Sequence, residues 1–326
     1  MSISRRKFTQ LILAGSSSMI AAPFVRAQSA WPNKPIRMIV PYTPGGFTDA
    51  MARIVSQQLS TRLGQQVIVE NKPGGGSLIG VDTLAKAAPD GYTFGMVIAA
   101  YAANMTLYPK RPYTEKDLQP VSLVGVSPLV AAVNKDLPYK NAQQTIAYAR
   151  AHPGKISYGS SGNGSAVHLS TEFLKMLTNT YMLHIPYRGS APALGDLMGG
   201  HIQLFMDAAS GLIQPVKGGK VQAIGVASDK RLPALPDVPT FIEQGIKGYT
   251  GSTWAGVLAP AGVPSDMVKR MSDEIAHIVK MPETIAKFDA MGVFASGSSP
   301  EEFGRFLGEE ITKWGDVIRK AKITPD

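Results

Sequence analysis

The run from Ile36 to Val55, IRMIVPYTPGGFTDAMARIV, restricts what this chain can fold into more than any other stretch. Ile36, Met38, Ile39 and Val40 form a short β-forming run bounded by Pro35 and Pro41, the pattern of a buried strand. Tyr42–Gly46 follows as a turn, with Pro44 pre-set in φ and Gly45 and Gly46 free to take positive φ. The period then changes. Phe47, Met51, Ile54, Val55, Leu59 and Leu63 recur at helical spacing, and Gly64 stands where a helix C-terminus wants it. Strand, glycine turn and helix aim unpaired backbone N–H groups at one point beyond the strand's carboxyl end, a place suited to an anion. Thr43 and Thr48 add hydroxyls at that point. Asp49, in the first helical turn, suits the helix dipole and the fixing of the loop.

The N-terminus sets the compartment. Residues 1–27 carry Arg5, Arg6, Lys7 and Arg26 and no acid, and Ser4-Arg5-Arg6-Lys7-Phe8 has the twin-arginine export pattern. The apolar part, Leu11–Val25, is too short and too broken by Gly15 and Ser16–Ser18 to span a membrane. Val25-Arg26-Ala27 offers a cleavage site after Ala27, so a periplasmic protein is expected by either export route. The chain has no cysteine, which removes disulfides, thiolate catalysis and cysteine-ligated zinc. Formal charge is +9, of which the four leader cations leave +5 for the mature chain. Those basic residues are scattered, without a clustered stripe or aromatic interleaving, so nucleic acid is not an expected partner. A modest positive field favours anionic small molecules.

The opening pattern recurs along the mature chain. Gln66–Glu70 reads as a second strand, Asn71–Gly76 as a second glycine turn, and Ser77 as the start of a helix reaching Ala88. A dinucleotide fingerprint begun at Gly74 places Ile79 where its last glycine belongs, so that reading is rejected. Tyr92–Ala100 is a third strand. Leu118–Val133 reads as two strands in succession, Pro120–Val126 and Pro128–Val133, crossing into a second domain. There Ile156–Gly159, the turn Ser160–Ser165 and a helix Ala166–Leu177 repeat the first motif. Tyr181–Pro186 is a strand closed by Tyr187-Arg188-Gly189-Ser190, and His201–Met206 a strand ending in Asp207-Ala208. Trp254–Leu258 is the return crossing. Three helices follow, the last over Pro300–Lys322 with Ser299 as its cap. The outcome is a bilobed α/β chain: residues 28–127 plus 252–326 form the first domain and 128–251 the second. Ligands in such sheets sit beyond the strands' carboxyl ends, where four glycine or serine turns fall.

Enzyme chemistry is weakly signalled. A nucleophile elbow requires G-x-S-x-G, and Gly159-Ser160-Ser161-Gly162-Asn163 has asparagine at its last position. An exported serine hydrolase using Ser161 or Ser165 with His168 is the alternative in a different class. The five histidines show no zinc-ligand spacing, and a lone Asp207 supports no mechanism. Neither metal nor cofactor is expected.

Blocks along the whole mature length carry a resemblance: WPNKPIRMIVPYTPGGFTDAMAR, LGQQVIVENKPGGG, PDGYTFGM, HPGKISYGSSGNGSAVHLSTEFLK, HIPYRGSAPALGDLMGGHIQLFMD, LPALPDVPT, WAGVLAPAGVP and SPEEFGRFLGEEITKWG. In their order and spacing the chain resembles the tripartite tricarboxylate transporter substrate-binding family, the Bug-type periplasmic receptors. The resemblance implies a type II periplasmic-binding (Venus-flytrap) fold with two crossover strands. It also implies no catalysis, and capture of a small carboxylate or amide for the membrane components of a transporter, or for a membrane sensor, by a monomeric receptor. The family's ligand loops carry over onto Tyr42, Thr43, Gly45, Gly46, Phe47 and Asp49, and onto Gly76 and Ser77. In the second domain they fall on Ser161, Gly162, Asn163 and Ser165, on Tyr187, Arg188, Gly189 and Ser190, and on Asp207 and Ala208. Members often have phenylalanine and proline where this chain has Tyr42 and Thr43, so the loop is carried over as a site without a substrate.

Overall fold

The computed structural model describes residues 31–325; the expected export signal, residues 1–27, lies outside the described residues. Strand β1 (Ile36–Val40) enters helix α1 (Phe47–Leu63) through the expected turn. Strand β2 (Val67–Asn71) leads through one 3-10 turn, Gly75–Ser77, into α2 (Leu78–Ala85). Strand β3 (Thr93–Ile98) runs almost directly into α3 (Ala100–Leu107), where sequence pattern gives a strand to Ala100 and no helix. The segment AYAANMTL is alanine-rich and forms a helix by propensity, but no glycine, proline or cap marks its start.

The next strand, β4, is one continuous element over Leu118–Asn134 rather than two. Its prolines and Gly125 are absorbed by register shifts against a neighbour, between Pro120 and Ser122 and between Leu123 and Gly125. Then follow α4 (Ala142–Ala151), β5 (Ser157–Ser160), α5 (Ala166–Thr178), β6 (Leu183–Pro186), α6 (Ser190–Met198) and β7 (Leu204–Ala208). Helix α7 (Ala209–Lys217) begins where β7 ends and was hidden in sequence by Gly211 and Pro215. Strand β8 (Val221–Val226), return strand β9 (Ser252–Pro260), α8 (Ser265–Ile278), α9 (Pro282–Met291), the short β10 (Phe294–Ala295) and α10 (Pro300–Ala321) complete the chain. Ser299 and Glu302 cap α10 reciprocally, as its sequence requires.

The strands make one curled sheet in two halves. The first half runs β2-β1-β3-β9-β4, with β1, β2 and β3 parallel and β9 antiparallel to both β3 and β4. The second runs β6-β5-β7-β4-β8, again with three parallel strands against antiparallel β4. β4 changes partner in mid-strand: Pro128 pairs with Ser252 of β9, and Leu129 with Ala208 of β7. One apolar core is drawn entirely from residues 129–249. Two others come from residues on either side of that span, with Leu169 the crossing residue. Burial of Trp254 on β9 and Trp314 on α10 is made affordable by Glu310, whose Oε2 accepts both indole N–H groups at 2.8 and 2.7 Å. The fold is bilobed α/β, with β4 and β9 crossing between the lobes.

Candidate functional site

The parallel strands of both lobes point their carboxyl ends at one cleft, where a cavity of about 390 Å³ opens. After β1, its wall is built by Tyr42, Thr43, Gly46, Phe47 and Thr48; after β2, by Gly76. The second lobe supplies Ser161, Gly162, Asn163 and Ser165 after β5, Gly189 and Ser190 after β6, and Asp207 and Ala208 at the end of β7. Thirteen of the eighteen residues carried over from the family are therefore brought together on this wall. Gly45, Asp49, Ser77, Tyr187 and Arg188 are not on it.

Those five have other positions. Gly45 takes the positive φ of +88° that its turn requires, and its N–H donates to Asp49 Oδ2 at 2.9 Å. Gly46 departs from the expected conformation, with φ −81° and ψ 177°, as the extended residue that caps α1. Asp49, 3% exposed, lies behind the loop. Its Oδ2 also accepts Arg53 Nε at 2.8 Å and its Oδ1 accepts Asn71 Nδ2 at 2.9 Å. Arg53 chiefly, with Gly45 and Asn71, holds the Asp49 carboxyl down at about 2. Asn71 also donates to the Tyr42 carbonyl oxygen at 3.0 Å, so Asp49 and Asn71 together fix the loop that faces the cavity. Helix geometry leaves the Phe47 and Thr48 N–H groups without intrahelical acceptors, and both residues line the cleft.

Ser77 is buried with a φ of +82°, held by Asn104 Nδ2, which donates to the Gly76 carbonyl at 2.8 Å and to Ser77 Oγ at 3.2 Å. Tyr187 sits beneath its turn: its hydroxyl donates to Asp196 Oδ2 at 2.6 Å, and burial with that carboxylate pushes its pKa up to about 12. Arg188 is exposed on the turn, outside the cavity.

The serine loop of the second lobe is organised from below. Ser160, fully buried, places its hydroxyl 2.7 Å from His184 Nε2 and 3.2 Å from the Gly162 N–H, which it accepts. Ser165 caps α5 by accepting the His168 N–H at 3.2 Å. His168 Nδ1 accepts the Gly164 N–H at 3.1 Å, and its ring stacks on His184 with centroids 3.8 Å apart. Burial, then the His184 and Lys175 neighbours, lower its pKa to about 3, so the ring is neutral and serves as an acceptor. His168 Nδ1 is thus committed to holding the loop. Gly164, at φ +69°, lies where a Cβ would come within 2.2 Å of Leu107 Cδ2, so the two lobes touch at this loop.

Sequence reasoning missed the α3 contribution: Ala100, Asn104 and Leu107 from the helix and Tyr108 just after it line the cavity. The helix-forming composition of that segment was the available signal. Leu129 and Thr253, from the two crossing strands, form part of the wall that no local pattern marks. Among the described residues no lysine, arginine or histidine lines the cavity; its one ionisable acid is Asp207, whose pKa burial pushes up to about 6 against opposing hydrogen bonds from Ser190 and the Ala208 N–H. Among the described residues no cluster of three or more metal-ligating side chains is present, and no helix is long and apolar enough to cross a membrane. The arrangement can bind: backbone N–H groups and hydroxyls from both lobes line one small cleft.

Two α/β lobes joined by crossing strands, with glycine and serine turns closing on the cleft between them, define a periplasmic-binding-type solute receptor. The chain belongs to the TctC family, described as "Tripartite tricarboxylate transporter family receptor", which it matches over residues 51–323. It is 35% identical to Protein BugT of Bordetella pertussis over 92% of this chain and 93% of that one. A solved structure described as a periplasmic transporter is 40% identical, with a TM-score of 0.82 over 91% of this chain and 100% of that chain. Rpa4515 of R. palustris, solved with adipate, is 33% identical with a TM-score of 0.82 over the same shares. The family is one of solute-binding receptors rather than enzymes.

Proposed function

We propose that this protein is a periplasmic receptor that captures a small carboxylate between a lobe of residues 28–127 plus 252–326 and a lobe of residues 128–251. It delivers that solute to the membrane components of a tripartite tricarboxylate-type transporter. The observation that carries the reading is the convergence of glycine and serine turns from both lobes on the cavity of about 390 Å³. The carboxylate lies against the free N–H groups at the start of α1 and the start of α5, where helix ends favour an anion without a side-chain cation. Thr43, Thr48, Ser161, Asn163 and Ser165 add neutral donors, and ordered water bridges the remainder. The family match and the adipate-bound relative support a carboxylate as the ligand class.

Hinge motion at the β4 and β9 crossings closes the lobes on the solute. A thermal-shift panel of organic acids, amino acids and their amides tests the reading, because a ligand at a hundred times its Kd stabilises the folded state by about 2.7 kcal/mol. A rise in melting temperature with carboxylates, without turnover, is the expected result. Turnover of carboxylic esters that is lost in Ser161→Ala or Ser165→Ala would establish the hydrolase instead.

A further inference from the structure

Among the described residues, the cavity wall carries one charged side chain, and it is an acid. Asp207 ends β7 with Oδ1 accepting the Ala208 N–H at 2.9 Å. Gly211 of α7 packs against the other oxygen so closely that a Cβ there would come within 2.5 Å of Oδ2. Val130 stands beside Asp207 on β4, and the Ser190 hydroxyl at the start of α6 lies close enough to hold the carboxyl's pKa down against burial. The other titratable side chains on the cavity wall, Tyr42 and Tyr108, come from the opposite lobe. Within α6, Asp196 is occupied by the Tyr187 hydroxyl. Among the described residues no cation lines the cavity beside Asp207, and burial is what raises its pKa.

These neighbours leave Asp207 with a requirement of its own. Oδ1 already accepts one N–H, so a carboxylate with two acceptor oxygens on the cavity wall keeps further acceptor capacity. A ligand anchored by its carboxylate at the helix ends presents its far group to this wall. If that group is a second carboxylate, two anions meet on a wall without a cation, and such a pair holds one proton between its oxygens. We infer that Asp207 sets the ligand class by demanding a donor: the group that meets it is an amide, hydroxyl or ammonium, and a second carboxylate binds there only with uptake of one proton. This rests on the receptor reading above and makes binding of a diacid proton-linked while binding of its monoamide is not.

Titration calorimetry of the intact protein, in buffers of different ionisation enthalpy, counts the protons taken up. The probes are adipate and other aliphatic and aromatic diacids, each beside its own monoamide. At about pH 7.5 the tightest-binding diacid takes up close to one proton, and its affinity falls about tenfold per pH unit above neutrality. Its monoamide takes up none and keeps its affinity. In Asp207→Asn, checked for folding by its melting temperature, the diacid binds without proton uptake and the pH slope disappears. Should that variant not fold, the contrast between diacid and monoamide on the unaltered protein decides by itself. Diacid binding without proton uptake, or uptake that persists in folded Asp207→Asn, overturns the inference and leaves the receptor reading standing. If no diacid binds between about pH 5.5 and 8, this inference is overturned, while the receptor reading is decided separately by the wider panel of organic acids, amino acids and amides.

Discussion

Asp49 reaches back across the first turn of α1 to accept the Gly45 N–H at 2.9 Å, and Arg53, one helical turn further on, donates to the same oxygen at 2.8 Å. A carboxylate that sequence places among ligand contacts is in this way the brace of the ligand loop. Removing it in Asp49→Ala leaves the Gly45 and Asn71 donors without their acceptor, at about 1–3 kcal/mol of folding stability. The variant melts lower, and its affinity for the solute drops on the order of tenfold as the loop loosens. Because the folded pKa of about 2 lies below the ordinary 3.8, the stabilisation is fully present above pH 3.8 and is lost as pH falls through about 2. The stability gap between the unaltered protein and Asp49→Asn is accordingly constant above about pH 5 and shrinks below pH 4. A gap that stays constant down to pH 2 would remove Asp49 from this role.

Asn104 does for the second loop what Asp49 does for the first. Its amide holds Gly76 and Ser77, both at positive φ, and it is buried. Asn104→Ala releases a serine from a left-handed conformation that costs about 1–2 kcal/mol to hold. Reduced affinity with a modest fall in melting temperature is expected. An unchanged Kd would show that the loop keeps its shape unaided.

Arg188 attracts attention in sequence because it is the one arginine within the four ligand loops, yet it is exposed and off the cavity wall. Arg188→Ala is expected to change stability by no more than about 0.5 kcal/mol and to leave diacid and monoamide affinities as they were. A selective loss of diacid binding would bring this side chain back into the site.

His168 makes the fold acid-sensitive. Its folded pKa of about 3 lies below the ordinary 6.5, so the unfolded chain binds the extra proton and stability falls as pH drops from 6.5 toward 3. Denaturant midpoints measured from pH 7 to pH 4 show this slope, and His168→Gln, which keeps an acceptor for Gly164 but cannot titrate, flattens it. An equal slope in both proteins contradicts the assignment.

How far the sequence carried these conclusions depends on the range of the physics involved. The turns after β1, β2, β5 and β6 were legible because glycine, proline and a change of period are local signals. Helix α3 was not, since Ile98 to Ala100 carries the chain from strand to helix with no breaker between, and Asn104 and Leu107 were lost from the site with it. The prolines of β4 suggested two strands, whereas pairing with β9 shifts register around them and keeps one. Which side of a loop faces the cleft is decided by tertiary packing. That is why Asp49, Tyr187 and Arg188 fall in the loops that the sequence marks and yet lie off the cavity wall.

The central claim is that the start of α1 binds the solute's carboxylate, and Gly46→Val tests it most directly. At φ −81° a valine is unstrained, and its Cβ meets nothing nearer than the Thr43 carbonyl oxygen at 4.0 Å, so the fold is kept. The added side chain stands on the cavity wall and denies the ligand the Phe47 and Thr48 N–H groups. Two charge-assisted hydrogen bonds, at roughly 1.5–3 kcal/mol each, correspond to about two to four orders of magnitude in affinity. Calorimetry with the carboxylate found in the thermal-shift panel, beside circular dichroism on the same samples, should show a folded Gly46→Val protein whose binding is lost by that margin. Unchanged affinity in the folded variant would contradict the account and put the ligand elsewhere.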